Sequence, residues 1–199
     1  MKSTRIIILT FLSITLFASC KSEQEKTEPE QEELVNDNVE LAKIYENDQS
    51  DRMTDNINWP EVTRRDSLRE VRVYEMLDSN LVVTSKDHYH AAMVFQHGGD
   101  STAYKMAMNL MERSVELDST ANKWLLAAAT DRYLQSVNKP QIYGTQYFKM
   151  GDEPWTMEPM DTTVITDEVR KQFNVETLAE QRQQLAEMNS ENGEHLHDH

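Results

Sequence analysis

Four stretches of the chain carry residue types that could do chemistry together. They are Asp48-Gln49-Ser50-Asp51-Arg52, with Asp66 and Arg69 further on; Gln96-His97-Gly98-Gly99; Asp131-Arg132-Tyr133; and Gln141-Ile142-Tyr143-Gly144-Thr145-Gln146. Histidine is the side chain whose charge changes near neutral pH, so His97 is a candidate base. Asp131 could orient its imidazole, Arg132 could grip an anion with a two-pronged guanidinium, and Gln96 or Gln146 could donate from their amides. With Tyr143 and Gln141 at its edge, and Asp48, Asp51 and Arg52 as a secondary cluster, such a cleft would suit hydrolysis or anion binding. The same residues also have a purely architectural reading. Asp–Arg pairs on helices form ion networks that fix how helices cross. A His before a glycine C-cap bonds the last carbonyls of its helix, and a Tyr-Gly-Thr turn satisfies its own backbone.

The remaining histidines and the methionines point less clearly to a site. His88 and His90 stand two apart, which on a helix turns them to different sides, so they and Asp87 are expected on the surface of a first turn. His195, His197 and His199 alternate near the end of the chain, a spacing that chelates a transition metal only weakly if the segment is extended. Met108 and Met111 share a helical face with Tyr104 and Ala107, so core filling accounts for them and for Met106. No metal site and no cofactor is expected.

The elements that must position these residues are helices. Apolar residues recur at helical spacing from Leu34 to about Asp48, then over about Glu61–Asp78, where Pro60 suits a first turn. A third helix runs from Ser85 through Phe95 and stops at Gly98-Gly99. A fourth starts at Asp100 or Ser101 and reaches Leu117, and a fifth starts at Ser119 or Thr120 and ends before Pro140. Joined by short loops, helices of this length pair as antiparallel hairpins. Beyond Pro140 the sequence turns to Tyr, Phe, Thr and Val around Gly151-Asp152, which predicts a β-hairpin over 142–165, followed by short helices over Val169–Phe173 and Leu178–Met188. The predicted fold is mainly α, antiparallel helical hairpins with a small C-terminal β-hairpin, in one domain over 34–188 and with a polar tail over 189–199.

The four stretches resemble a family of uncharacterised bacterial proteins, secreted or lipid-anchored, that share D-Q-x-D-R, A-A-x-x-x-Q-H-G, A-x-x-D-R and Q-x-Y-G-T-Q. In this chain the second pattern is Ala91-Ala92-Met93-Val94-Phe95-Gln96-His97-Gly98, and the resemblance covers about Val39 to Leu178. It implies the domain limits and an extracytoplasmic address, and it carries no reaction. The helix pair over 100–137 is also similar to tetratricopeptide or Sel1 units, without their 34-residue repetition.

The address is written at the other end. Lys2 and Arg5 precede a 13-residue apolar run, Ile6–Ala18, that stops at Ser19-Cys20. Thirteen residues are too few to span a hydrocarbon core of ~30 Å, so residues 1–19 read as a secretory signal. Leu16-Phe17-Ala18-Ser19-Cys20 resembles a bacterial lipobox, which implies cleavage before Cys20 and its lipidation; Phe17 is bulkier than the aliphatic residue usual there. The expected location is therefore the cell envelope, most naturally the outer membrane. Without 1–19 the chain has 18 basic and 35 acidic residues, a net charge of −17. Eleven acidic against three basic residues lie over Lys21–Asp51, part of them in an acidic tether over 20–33, whose residues 21–33 contain no large apolar side chain to offset the entropy of ordering. The tether also resembles the surface-export signal of some Gram-negative lineages. An acidic chain with no basic stretch excludes nucleic acid as a partner. The expected partners are the membrane, through the lipid, and an envelope protein or peptide.

Overall fold

Each helix starts on a side chain that accepts a hydrogen bond from one of its own unpaired first-turn N–H groups. The caps are Asn38, Asn58, Thr84, Asp100, Asn122, Thr166 and Thr177, and Thr84 and Thr177 close reciprocal capping boxes with Asp87 and Glu180. The computed structural model describes residues 35–190. The helices so started are α1 (Val39–Ser50), α2 (Trp59–Asp78), α3 (Ser85–Gln96), α4 (Ser101–Leu117), α5 (Lys123–Ser136), α6 (Asp167–Gln172) and α7 (Leu178–Met188). The signal segment, Cys20, the acidic tether and His195, His197 and His199 lie outside the described residues.

Contacts between helices fix their directions. Ser85 at the start of α3 donates to the carbonyl of Ser114 at the end of α4 (2.8 Å), so those two run antiparallel. Tyr104 near the start of α4 lies 6.0 Å below Arg132 near the end of α5, so that pair does too. Arg72 on α2 bonds Glu40 at the start of α1, while Arg52 just after α1 bonds Asp66 near the start of α2. α1 and α3 are alternate members and run parallel, Asn38 meeting Asp87 at one end and Asp48 meeting His97 at the other.

The core sits between α1 and α5. Leu125, Leu126, Ala127, Ala128 and Ala129 are all buried in succession, as are Ala91, Ala92, Val94 and Phe95 on α3. A helix apolar on more than one side must lie between layers, and its alanines let neighbours approach closely. Phe95, fully buried and edge-on to Tyr74, contributes roughly 1.5–3 kcal/mol by burial. A smaller cluster of Ala127, Tyr143 and Val175 joins the C-terminal segment to α5.

The β-hairpin expected over 142–165 is not formed. Among the described residues the segment makes one isolated antiparallel bridge, Phe148 to Thr156, and one isolated parallel bridge, Gln141 to Met160. The reason is competition for backbone groups: side chains take the N–H and carbonyl groups of 142–146 before a ladder can. Starts of four helices also differ from the predicted ones: α2 begins at Trp59 and α6 at Asp167, each two residues early, behind the caps Asn58 and Thr166. α1 begins at Val39 because Asn38 caps it, and α5 begins at Lys123 because Asp118 binds both the N–H and the hydroxyl of Thr120 (2.8 and 2.7 Å), closing a separate turn. Asp87 and His90 are buried, not superficial. The Asp87 carboxylate accepts from the N–H groups of Asn38, Val83 and Thr84, and His90 stacks on Tyr45 at 4.4 Å.

Candidate functional site

Two fully buried aspartates organise the predicted site residues, and they organise two different centres. Asp48, at 0% exposure, accepts from Gln49 Nε2 (2.8 Å), Arg52 Nη1 (3.0 Å) and His97 Nδ1 (2.8 Å). A carboxylate only accepts, so Nδ1 carries the proton of the His97 bond. Arg52 reaches on to Asp66 (2.6 Å), which also accepts from Arg69 (2.8 Å). Arg69 bonds Asp51, and Arg65 reaches the same carboxylate at 2.9 Å. Burial opposes the Arg69 charge, and Asp51, Asp48 and Asp66 together hold its pKa above the ordinary value. The network therefore alternates in sign and ties the end of α1, the first half of α2 and the C-cap of α3 into one unit.

Asp131, also at 0% exposure, builds the second centre. One oxygen accepts from the N–H groups of Ile142 and Tyr143 (2.8 and 3.0 Å), the other from the N–H and hydroxyl of Thr145 (2.9 and 2.8 Å). Gln141 closes the loop on itself: its amide oxygen accepts from Gln146 N–H (3.0 Å), and its amide nitrogen donates to the carbonyls of Gln146 and Met157. Gly144 turns the chain with φ +83, a conformation costly for any residue with a Cβ. Carbonyls of the same loop go to residues that the sequence did not flag. Gln181 donates to Tyr143 and Gly144 (2.8 and 3.0 Å), and Arg170, 2% exposed, donates to Ile142 and Tyr143 (3.2 and 3.4 Å). Nothing in the local sequence marks them, since both stand in short polar helices that read as surface. Tyr143 packs its ring on Phe173 at 5.0 Å.

Arg132 links the two centres. Its Nη1 donates to the carbonyl of Gln96 (2.9 Å), Nε to the Gln146 amide oxygen (3.3 Å), and it has no carboxylate partner among the described residues. Burial lowers its pKa. The end of α3, where unpaired carbonyls concentrate negative charge, supplies the compensating field. Gln96 itself is buried. The expected grouping of His97 with Asp131 is not formed: no hydrogen bond joins them, and Asp48 orients the imidazole instead. A further titratable group missed in the sequence, Glu70, lies beside Gly98; burial, with Asp100 and Asp66 nearby, raises its pKa.

Among the described residues no Ser, Thr or Cys is hydrogen-bonded to His97, whose Nδ1 is taken by Asp48. Two clefts of the described surface lie elsewhere. One of about 510 Å³ is lined by Val35, Asp37, Lys86, Tyr89, Asp118 and Asn122, among others, at the end of the bundle opposite the Asp48 network. Another of about 370 Å³ is lined by Gln135, Asn138, Lys139, Phe148 and Pro159. Among the described residues no group of three or more His, Cys, Asp or Glu is placed to hold a metal ion, and no helix is long and apolar enough to cross a membrane. The chain matches no family model, no curated protein and no solved structure.

Proposed function

We propose that this chain is a lipid-anchored cell-envelope protein whose helical domain is a non-enzymatic module for binding a protein or peptide. One observation carries the reading: the side chains best suited to chemistry are engaged with one another. Asp131 holds a loop, Asp48 holds His97 and Arg52, and Arg132 holds the end of α3. Residues committed in this way rigidify a scaffold, and a rigid scaffold presents surfaces. The lipid anchor on Cys20 and the family resemblance belong to the same proposal.

The test compares stability with cellular function in His97→Ala and Arg132→Ala. Both variants are expected to melt earlier than the wild type and to lose function only in proportion. Unchanged melting with abolished function would overturn the reading in favour of a small hydrolase or anion-binding cleft. One observation favours that second reading, the Arg132 guanidinium without a carboxylate partner. A rise in melting temperature with added phosphate that disappears in Arg132→Gln would support it.

A further inference from the structure

The end of the bundle that carries the larger cleft also gathers exposed apolar side chains. Val35, Val39, Leu81, Val83 and Leu117 are between 43% and 83% exposed. They lie at the same end of the helices. Val35 lines the cleft, Val83 and Leu117 each adjoin a lining residue, Thr84 and Asp118, and the Leu81 carbonyl accepts from Asn38 (3.0 Å), next to Val39. The cleft beside them is lined by polar and apolar groups in about equal measure, and its charges are of mixed sign: Lys86 and Asp37 form an exposed pair at 3.2 Å, and Asp118 and Tyr89 also line it. Apolar side chains beside a paired cation and anions match the layering of a phospholipid interface, with acyl chains against the apolar side chains and a phosphate and an ammonium in the cleft.

We infer that this end of the domain rests on the bilayer, with a zwitterionic phospholipid headgroup in the cleft and the exposed valines and leucines in the interfacial layer. The inference rests on the proposed lipid anchor. Residues 20–34 join the lipid to Val35 and span at most about 50 Å, so the end of the fold at which the chain enters is held within reach of lipid at high effective concentration. That reach does not choose which end touches the bilayer; the five exposed residues Val35, Val39, Leu81, Val83 and Leu117 do, against Met53 and Trp59 exposed at the opposite end. The opposite end, with the Asp48 network, then faces away and stays open to a protein partner. A net charge of −17 directs the contact to neutral, not anionic, headgroups.

The experiment uses the chain from Cys20 to His199, coupled through its single cysteine to a maleimide lipid in phosphatidylethanolamine and phosphatidylcholine vesicles with brominated acyl chains. Trp124, two residues past Asn122, reports on this end, and Trp59 at the start of α2 reports on the other end. In a variant with Trp59→Phe and Trp155→Phe, Trp124 fluorescence is expected to be quenched severalfold more than Trp59 fluorescence in a variant with Trp124→Phe and Trp155→Phe. Adding Val39→Glu and Val83→Glu among the exposed residues is expected to abolish the difference, and anionic vesicles are expected to reduce it. Equal quenching of the two reporters, no quenching of either, or quenching that survives both Glu substitutions would overturn the inference. Loss of Trp124 quenching together with a dimer on a sizing column would assign these residues to a second copy and overturn it equally. Because Cys20 is coupled chemically, these outcomes do not depend on lipidation in the cell, which fractionation reads separately.

Discussion

At the scale of single residues, Asp131 shows how one buried carboxylate can replace a strand. Its four donors come from three residues of a loop that otherwise has no regular structure. Asp131→Asn keeps the size but gives up the charge and turns an NH2 group toward N–H donors. With charge-assisted hydrogen bonds each contributing ~1.5–3 kcal/mol, the variant is expected to lose about 3 kcal/mol or more, read as a lower urea midpoint. His90 sets a pH dependence. Burial, with Lys86 nearby, holds its pKa below the ordinary value, so the unfolded chain takes up a proton near pH 6.5 that the folded chain refuses. Its contribution is complete above that pH and is lost as pH falls toward the folded pKa. The urea midpoint is expected to fall between about pH 7 and 5.5, and to fall less in His90→Phe, which keeps the stack on Tyr45. An unchanged slope in the variant would remove His90 from the account. Motif strings in the sequence single out Asp48, His97 and Asp131, but not which aspartate meets the histidine. That pairing spans 49 positions and is set by the parallel packing of α1 and α3.

At the scale of elements, the helices were legible because their signals are local. A capping Asn, Thr or Asp, a proline in the first turn of α2 and a run of spaced apolar residues each act within one or two turns. The segment over 142–165 was illegible for the opposite reason. Its β-branched and aromatic composition favours a strand, and the donors and acceptors that prevent one come from Asp131, Arg170 and Gln181 on three different helices. Tertiary capture of backbone groups overrides local propensity there. The α3–α4 turn separates the two kinds of information in adjacent residues. A Cβ on Gly98 would lie 2.2 Å from the Ala103 Cβ and 2.9 Å from Glu70, whereas a Cβ on Gly99 would meet nothing within 4 Å. Gly98→Ala must force α3 and α4 apart, at the ~1–3 kcal/mol typical of overpacking or more, while Gly99→Ala is expected to change stability by less than about 0.5 kcal/mol. Thermal melts of the two single variants check this directly, and equal shifts would refute the packing argument.

At the scale of the whole molecule, the charge and the proposed anchor make a joint prediction. A chain with 18 basic and 35 acidic residues after Cys20 has no electrostatic attraction to anionic lipid. Two or more acyl chains hold a protein to a bilayer stably, since each buried methylene contributes ~0.8 kcal/mol. The contact proposed for Val35, Val39, Leu81, Val83 and Leu117 is expected to be populated while the lipid keeps these residues within reach. Cys20→Ala should thus move the protein wholly from the membrane fraction to the soluble extracytoplasmic fraction, at low salt as well as high. Substitutions at those five residues that leave Cys20 intact should move none of it. A Cys20→Ala protein that stayed on membranes and came off only in high salt would mean that charge, not lipid, holds it there. Retention that survived high salt would mean an apolar attachment independent of Cys20. Either result would end the lipoprotein reading, and with it the reason for the acidic tether.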